Sequence, residues 1–217
     1  MLVSDKTGPL AHVVYHSLLS DLFSHRWQCG DRLIEAVIAR DLNVSRTPVR
    51  QALARLENDG LAVSALPTGY NVVAPAIEDI RDIFEIRKAL DPVAFAGVVQ
   101  RAVPADDAEL RRLHADIQGA DCPSSFAAAN VAYRRFWTSR IQNLRLADAL
   151  HRFHMQVHLV RAATLHSKDG RRIARAGVAR LSDAFLARDA PAAHHAMRDF
   201  VHAALVLFER AHEQSPP

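Results

Sequence analysis

The chain has 217 residues, of which 49% are hydrophobic and 24% charged, with a formal net charge of +3. That is enough apolar material for one or two packed cores, and 8 glycines are too few for a loop-rich fold. The modest positive charge permits nucleic-acid binding without demanding it, and no apolar run approaches the length of a membrane span.

Leu10 to Phe23 has the spacing of a first helix, with Pro9 in its first turn. Leu10, Val14, Leu18, Leu19 and Leu22 fall on one face. Trp27-Gln28-Cys29-Gly30-Asp31 breaks that pattern. Glu35 to Leu42 is a second, short helix with Val37, Ile38 and Leu42 as its apolar face. Asn43, a residue that tolerates the left-handed conformation, fits the tight turn that follows.

Val44 to Leu61 reads as a DNA-recognition helix with its cap and its stop. Ser45 or Thr47 can cap it, and Pro48 suits a first turn, where a missing N–H costs little. Val49, Leu53 and Leu56 at i, i+4 and i+7 bury one face. Arg46 and Arg50 lie four apart near the end that reaches base edges in helix-turn-helix proteins. Gly60 supplies the stop. Ala62 to Leu66 and Tyr70 to Val73 then read as two strands joined by Pro67-Thr68-Gly69, a winged helix-turn-helix ending at about residue 74.

The runs Gly30-Asp31-Arg32-Leu33-Ile34-Glu35-Ala36, Val44 to Leu53 and Glu57-Asn58-Asp59-Gly60-Leu61 together resemble the DNA-binding domain of the GntR family of bacterial regulators. The resemblance implies binding of double-stranded operator DNA as a homodimer. Arg46 and Arg50 match base-reading arginines whose fork suits the O6/N7 edge of guanine. Ser45, Thr47 and Gln51 belong to the same DNA-facing set, with the hydroxyls on phosphate, and Gly69 matches the wing tip in the minor groove. Two departures stand out. Ala36 replaces an arginine that helps some members read bases, and the wing lacks the usual basic residues beside Gly69. Each missing phosphate contact flattens the salt dependence by about one unit of slope, so weaker non-specific DNA binding is expected.

Residues 75–77 form a hinge, and 78–213 read as about six helices without a hairpin signal, making the fold mainly α. The helices run from Ile80 to about Ala102, Pro104 to Gln118, a Ser124 cap to about Ile141, Asn143 to Leu165, Arg171 to Arg188, and Ala190 to Glu213. Gln214 to Pro217 is a tail. The runs Ile80 to Pro92 and Leu186 to Met197 resemble the all-helical effector domain (FCD) of the family's FadR-type branch.

That resemblance implies an effector-binding and dimerisation domain that commonly holds a divalent metal with one Asp and three His. The matching positions are Asn130, Arg134, Val178 and Phe200, with Tyr133 beside them. Val and Phe offer no lone pair and Arg carries a fixed charge, so the metal is expected to be absent, leaving no cofactor. A carboxylate effector is expected instead on Arg134 and Arg87, with Asn130, Tyr133, Val178 and Phe200 completing the pocket.

Histidines compete with this view. His151, His154 and His158 share a helix face, and His154, His158 and His202 are the fallback ligand set for a relocated metal. Cys29 and Cys122 lack a paired-motif spacing and read as free thiols of a reduced compartment. Met1 to Lys6 is no signal peptide, so a soluble cytoplasmic protein without membrane partners is expected. The function expected is a sequence-specific transcriptional regulator, in the repressing mode, controlled by a small organic acid. The alternatives are a constitutive DNA-binding dimer and a metal-dependent helical-bundle enzyme. The enzyme leaves Ser45 to Leu61 unexplained and lacks an acid or base at a telling distance from the imidazoles.

Overall fold

A computed structural model describes residues 8–23, 26–27, 30–65, 69–73 and 76–213. The expected start at Met1 to Lys6, Gln28, Cys29, the strand end Leu66, the turn residues Pro67 and Thr68, the hinge residues Ala74 and Pro75 and the tail 214–217 lie outside them. The chain divides into two compact units, Met1–Ala76 and Ile77–Pro217.

The first unit holds α1 (Pro9–Phe23), β1 (Arg32–Leu33), α2 (Glu35–Asp41), α3 (Arg46–Asn58), β2 (Ala62–Ser64) and β3 (Tyr70–Val72). The buried stripe of α1 is Ala11, Val14, Tyr15, Leu18 and Leu19, while Leu10 is 48% exposed. The expected stripe is thus rotated by one residue at its start. Tyr15 causes the rotation by packing toward α3, where its hydroxyl donates to the Asp59 carboxylate and the Arg55 guanidinium lies 4.2 Å from its ring centre.

Two helix ends share one device. Asn43, at φ 52, lets its N–H reach Arg40 O while the Val44 N–H reaches Ala39 O. Gly60, at φ 70, repeats this after α3, with Gly60 N–H on Glu57 O and Leu61 N–H on Leu56 O. Ser45 occupies the N-cap position of α3 in an extended conformation, but its side chain makes no cap bond, contrary to expectation. Pro48, Val49, Ala52, Leu53 and Leu56 bury the inner face.

The sheet has three antiparallel strands in the order β1-β3-β2, with Arg32 opposite Asn71 and Val63 opposite Asn71 on the other side. β1 was not expected, because two residues are too few to show alternation. Gly69 sits at φ 99, and a Cβ there would lie 2.8 Å from Leu33 O, so only glycine fits between the strands.

The second unit is an all-helical bundle of seven helices among the described residues, not six: α4 (Ile77–Arg101), α5 (Pro104–Gly119), α6 (Pro123–Thr138), α7 (Leu144–Arg152), α8 (His154–Leu165), α9 (Lys168–Leu186) and α10 (Ala190–Glu213). The extra helix arises because the stretch from 144 to 165 breaks at Phe153, whose N–H turns back to Leu150 O. A one-residue break leaves the hydrophobic period almost unchanged. Ile77, expected in the hinge, is already helical.

α10 runs along α4 and α9, and α5 packs on α6 and α9. Phe84, Phe95, Phe126, Trp137 and Phe185 are fully buried between them. Phe95 meets Trp137 edge-on at 5.8 Å. Cys122, not Ser124, caps α6, its sulfur accepting the Ser125 N–H. Among the described residues no helix is long and apolar enough to cross a membrane.

Candidate functional site

Two surfaces carry chemistry, one in each unit. In the first, Ser45, Arg46, Thr47, Arg50 and Gln51 are all exposed, opposite the buried Val49, Ala52 and Leu53. Arg46 forms no hydrogen bond among the described residues. Arg50 is held in a fork by Glu35 of α2, Nε to Oε1 at 3.0 Å and Nη2 to Oε2 at 2.9 Å. The hydrogen bonds to Glu35, more than its charge, raise the Arg50 pKa. Glu35 thereby sets the direction of a side chain that is otherwise 67% exposed. A helix N-terminus carries partial positive charge and favours anions, so two arginines in the first turns of α3 gain nothing from the helix itself. Glu35 supplies the counter-charge for Arg50, and Arg46 is left for an external anion. Gly69 lies on the wing beside Leu33, and Ala36 is exposed.

In the second unit, a cavity of about 60 Å³ lies between α4, α6, α8, α9 and α10. Five of the expected effector residues line it: Arg87, Asn130, Tyr133, Arg134 and Phe200. Val178 does not. It is fully buried in the core, and its neighbours Ala174 and Leu181 face the cavity instead. Phe84, Trp137, Val160 and Met197 add apolar wall.

The polar side of this cavity differs from the expected pair of arginines. Arg87 donates from Nε and Nη2 to Asp91 Oδ2, at 3.1 and 2.7 Å. Arg134 donates from Nη1 to the same oxygen at 3.1 Å. Arg87 is therefore already committed, and Asp91, fully buried, is the hub that sequence reading missed. The i, i+4 spacing of Arg87 and Asp91 was the available signal.

Arg161 of α8 was missed as well. Its Nε donates to Asn130 Oδ1 at 2.7 Å, and its Nη1 is buried without a hydrogen-bond partner. An arginine on the helix face that also carries Val157, Val160 and Leu165 was its trace in the sequence. Burial, then the charges of Arg134 and Arg87, press the Arg161 pKa down. The guanidinium keeps its proton. Burial opposes the charge on Asp91, but Arg134 and Arg87 outweigh it and hold the carboxyl below the ordinary range. Tyr133, its pKa raised by burial, shares a 3.2 Å hydrogen bond with Ser182.

On the far side of Arg134 and Arg161 a wider groove of about 520 Å³ runs between α6, α7 and α8, lined by Val131, Thr138, Asp148 and His151 among others. Arg134 and Arg161 line both groove and cavity.

Of the fallback histidines, two can be placed. His202 is exposed on α10, His158 is half-buried, and the side chain of His154 lies outside the described residues. No group of three His, Cys, Asp or Glu among the described residues could hold a metal ion. Burial, then the Arg161 charge, lowers the His158 pKa to about 4. Its folded pKa lies below its unfolded value of about 6.5. The unfolded chain thus binds more protons between those values, and stability falls as pH drops from about 6.5 to about 4. His158→Gln is expected to flatten the urea-unfolding profile across that window. An unchanged slope would show that the ring is hydrated.

The comparisons bear on both surfaces. Residues 10–71 match the profile described as bacterial regulatory proteins, gntR family, and residues 82–203 match the FCD domain. The HTH-type transcriptional regulator YdhC of Bacillus subtilis (strain 168), itself uncharacterized, is 30% identical over 114 residues, which are 52% of this chain and 50% of YdhC. The HTH-type transcriptional regulator McbR of Escherichia coli (strain K12) is 33% identical over 119 residues, 52% of this chain and 54% of McbR. The chain thus spans about half the length of the curated relatives it matches. The solved structure of E. coli McbR/YncC superposes with a TM-score of 0.80 at 21% identity, covering 94% of this chain and 99% of that one, a likeness of fold.

Proposed function

The chain belongs to the GntR family of bacterial regulatory proteins and carries an FCD domain, and from that premise we propose that it is a DNA-binding repressor that a small organic acid releases from its operator. The observation that carries the DNA-binding half is the exposed face of α3, where Arg46 and Arg50 stand at the helix N-terminal end with Ser45, Thr47 and Gln51 beside them. Arginine forks at that position read guanine, and the hydroxyls hold phosphate.

The protein acts as a homodimer. Ile86 and Val93 of α4 are 43% and 54% exposed, and Ala89 lies exposed between them. The spacing 86, 89, 93 is that of a self-complementary helix seam, which a second copy covers. The effector half rests on partly buried Arg134 and buried Arg161, which line a cavity with an apolar wall. The family's metal is dispensed with. At the aligned positions Asn130 is engaged with Arg161, Arg134 with Asp91, and Val178 and Phe200 have no lone pair to give. A buried guanidinium whose Nη1 has no partner among the described residues favours this reading over a constitutive dimer, which needs no such group.

DNase footprinting of the intact protein on the DNA upstream of its own gene tests it. Protection of two half-sites about one helical turn apart is expected, relieved by one member of a panel of short organic acids and unaffected by chelator. A footprint that no acid relieves would leave the constitutive dimer, and loss of protection with chelator would restore the metal.

A further inference from the structure

The cavity of the helical unit contains more positive charge than its own carboxylates balance. Arg87, Arg134 and Arg161 line the cavity with one acid hydrogen-bonded among them, Asp91, whose Oδ2 already accepts from two of them, while Asp148 lines the groove that Arg134 and Arg161 also border. The cluster therefore carries a net charge of about +2 with all arginines protonated. Arg161 is only 9% exposed. Among the described residues its one bonded partner is neutral Asn130, and its Nη1 has none. The Tyr133 hydroxyl is engaged with Ser182. An uncompensated buried cation costs several kcal/mol, so such an arrangement persists where an external anion completes it.

We propose, resting on the reading that this cavity is the effector site, that the effector is a small dianion: one oxyanion group docks between Arg134 and Arg161, and a second negative charge neutralises the remainder. A short dicarboxylate and a phosphate share this chemistry. A monocarboxylate leaves one buried cation unbalanced. The cavity holds about 60 Å³, room for one small oxyanion group and well under the roughly 150 Å³ that accommodates a benzene ring. The groove on the other side of Arg134 and Arg161 supplies the route in and room for the second anionic group.

Calorimetric titration of the intact, dialysed protein tests this with malonate, succinate and inorganic phosphate, against propionate and malonate monoamide as monoanions. A dianion is expected to bind at least about tenfold more tightly than either monoanion, the worth of one charge-assisted hydrogen-bonded pair. Malonate ahead of phosphate, or the reverse, names the source. Equal affinity for propionate and malonate would overturn the dianion while leaving an acid effector in place. No binding by any anion at millimolar concentration, with an unaltered footprint, would overturn both.

Arg161→Met separates recognition from architecture. It is expected to lose the dianion preference and, without ligand, to melt higher than the parent, because an uncompensated charge has been removed. A merely structural arginine would leave the preference and lower the melting point. Arg161→Lys is expected to keep the preference at weaker affinity, since it retains the charge without the fork.

Discussion

Asp91→Asn is expected to destabilise the helical unit by about 3–5 kcal/mol, the cost of removing one partner from a buried ion cluster. The side chain is fully buried, and it is the carboxylate on which Arg87 and Arg134 converge. Asparagine matches its shape, so the loss is electrostatic and not a cavity effect. Against a typical total of about 5–15 kcal/mol the change is large, and thermal denaturation should move down by about 10 °C. The pH dependence carries its own sign. The Asp91 carboxyl is held below the ordinary range, so its contribution is complete above about pH 4, its unfolded value, and is lost as pH falls through the folded value. Anions should rescue the variant more than the parent, because they bind the folded state and replace the missing charge. A loss below about 1 kcal/mol would show that water solvates the three guanidiniums.

The second large effect lies on α3. Arg46→Ala and Arg50→Ala are each expected to weaken operator binding by about 1–3 kcal/mol per half-site, roughly fivefold to over a hundredfold, and to relax the preference at one base pair. Thr47→Ala should weaken specific and scrambled DNA alike and leave the salt slope unchanged, since a neutral hydroxyl on phosphate displaces no counterion. Glu35→Ala tests whether the fork that holds Arg50 prepares it for DNA. Because the pair is largely exposed, the change should stay within about 1 kcal/mol. Competition binding with single-base operator variants reads all four. An equal loss on operator and scrambled duplex after Arg46→Ala would remove that side chain from base reading.

Much of this molecule was legible in the chain. Val49, Leu53 and Leu56 announce α3 by period, and Asn43 and Gly60 punctuate it because only residues at ease with positive φ close those two turns. Asn130, Tyr133, Arg134 and Phe200 were brought together by family likeness, and they do share one cavity. What escaped was decided by tertiary environment. Asp91 lies in the same stretch as Arg87, yet nothing local says that a distant Arg134 shares its oxygen. Arg161 looks like a surface residue until its helix is packed on α6. Phe153 divides one helix into two without disturbing the apolar period. Val178 and its neighbours fall within one helical turn, too close for a register drawn from sequence to say which faces the cavity.

Gly177 of α9 lies flush against the Phe200 ring, and a single methyl there would overlap it. The ring, only partly buried, would have to swing away, changing the room left for a ligand. The arginines proposed to set charge preference stand on α4, α6 and α8, on other helices altogether. Size and charge are thus adjustable independently in this bundle. One substitution at position 177 would retune which acid is sensed while leaving the demand for an acid, and the DNA-facing helix, as they were. A sensor arranged this way can acquire a new inducer in a single step.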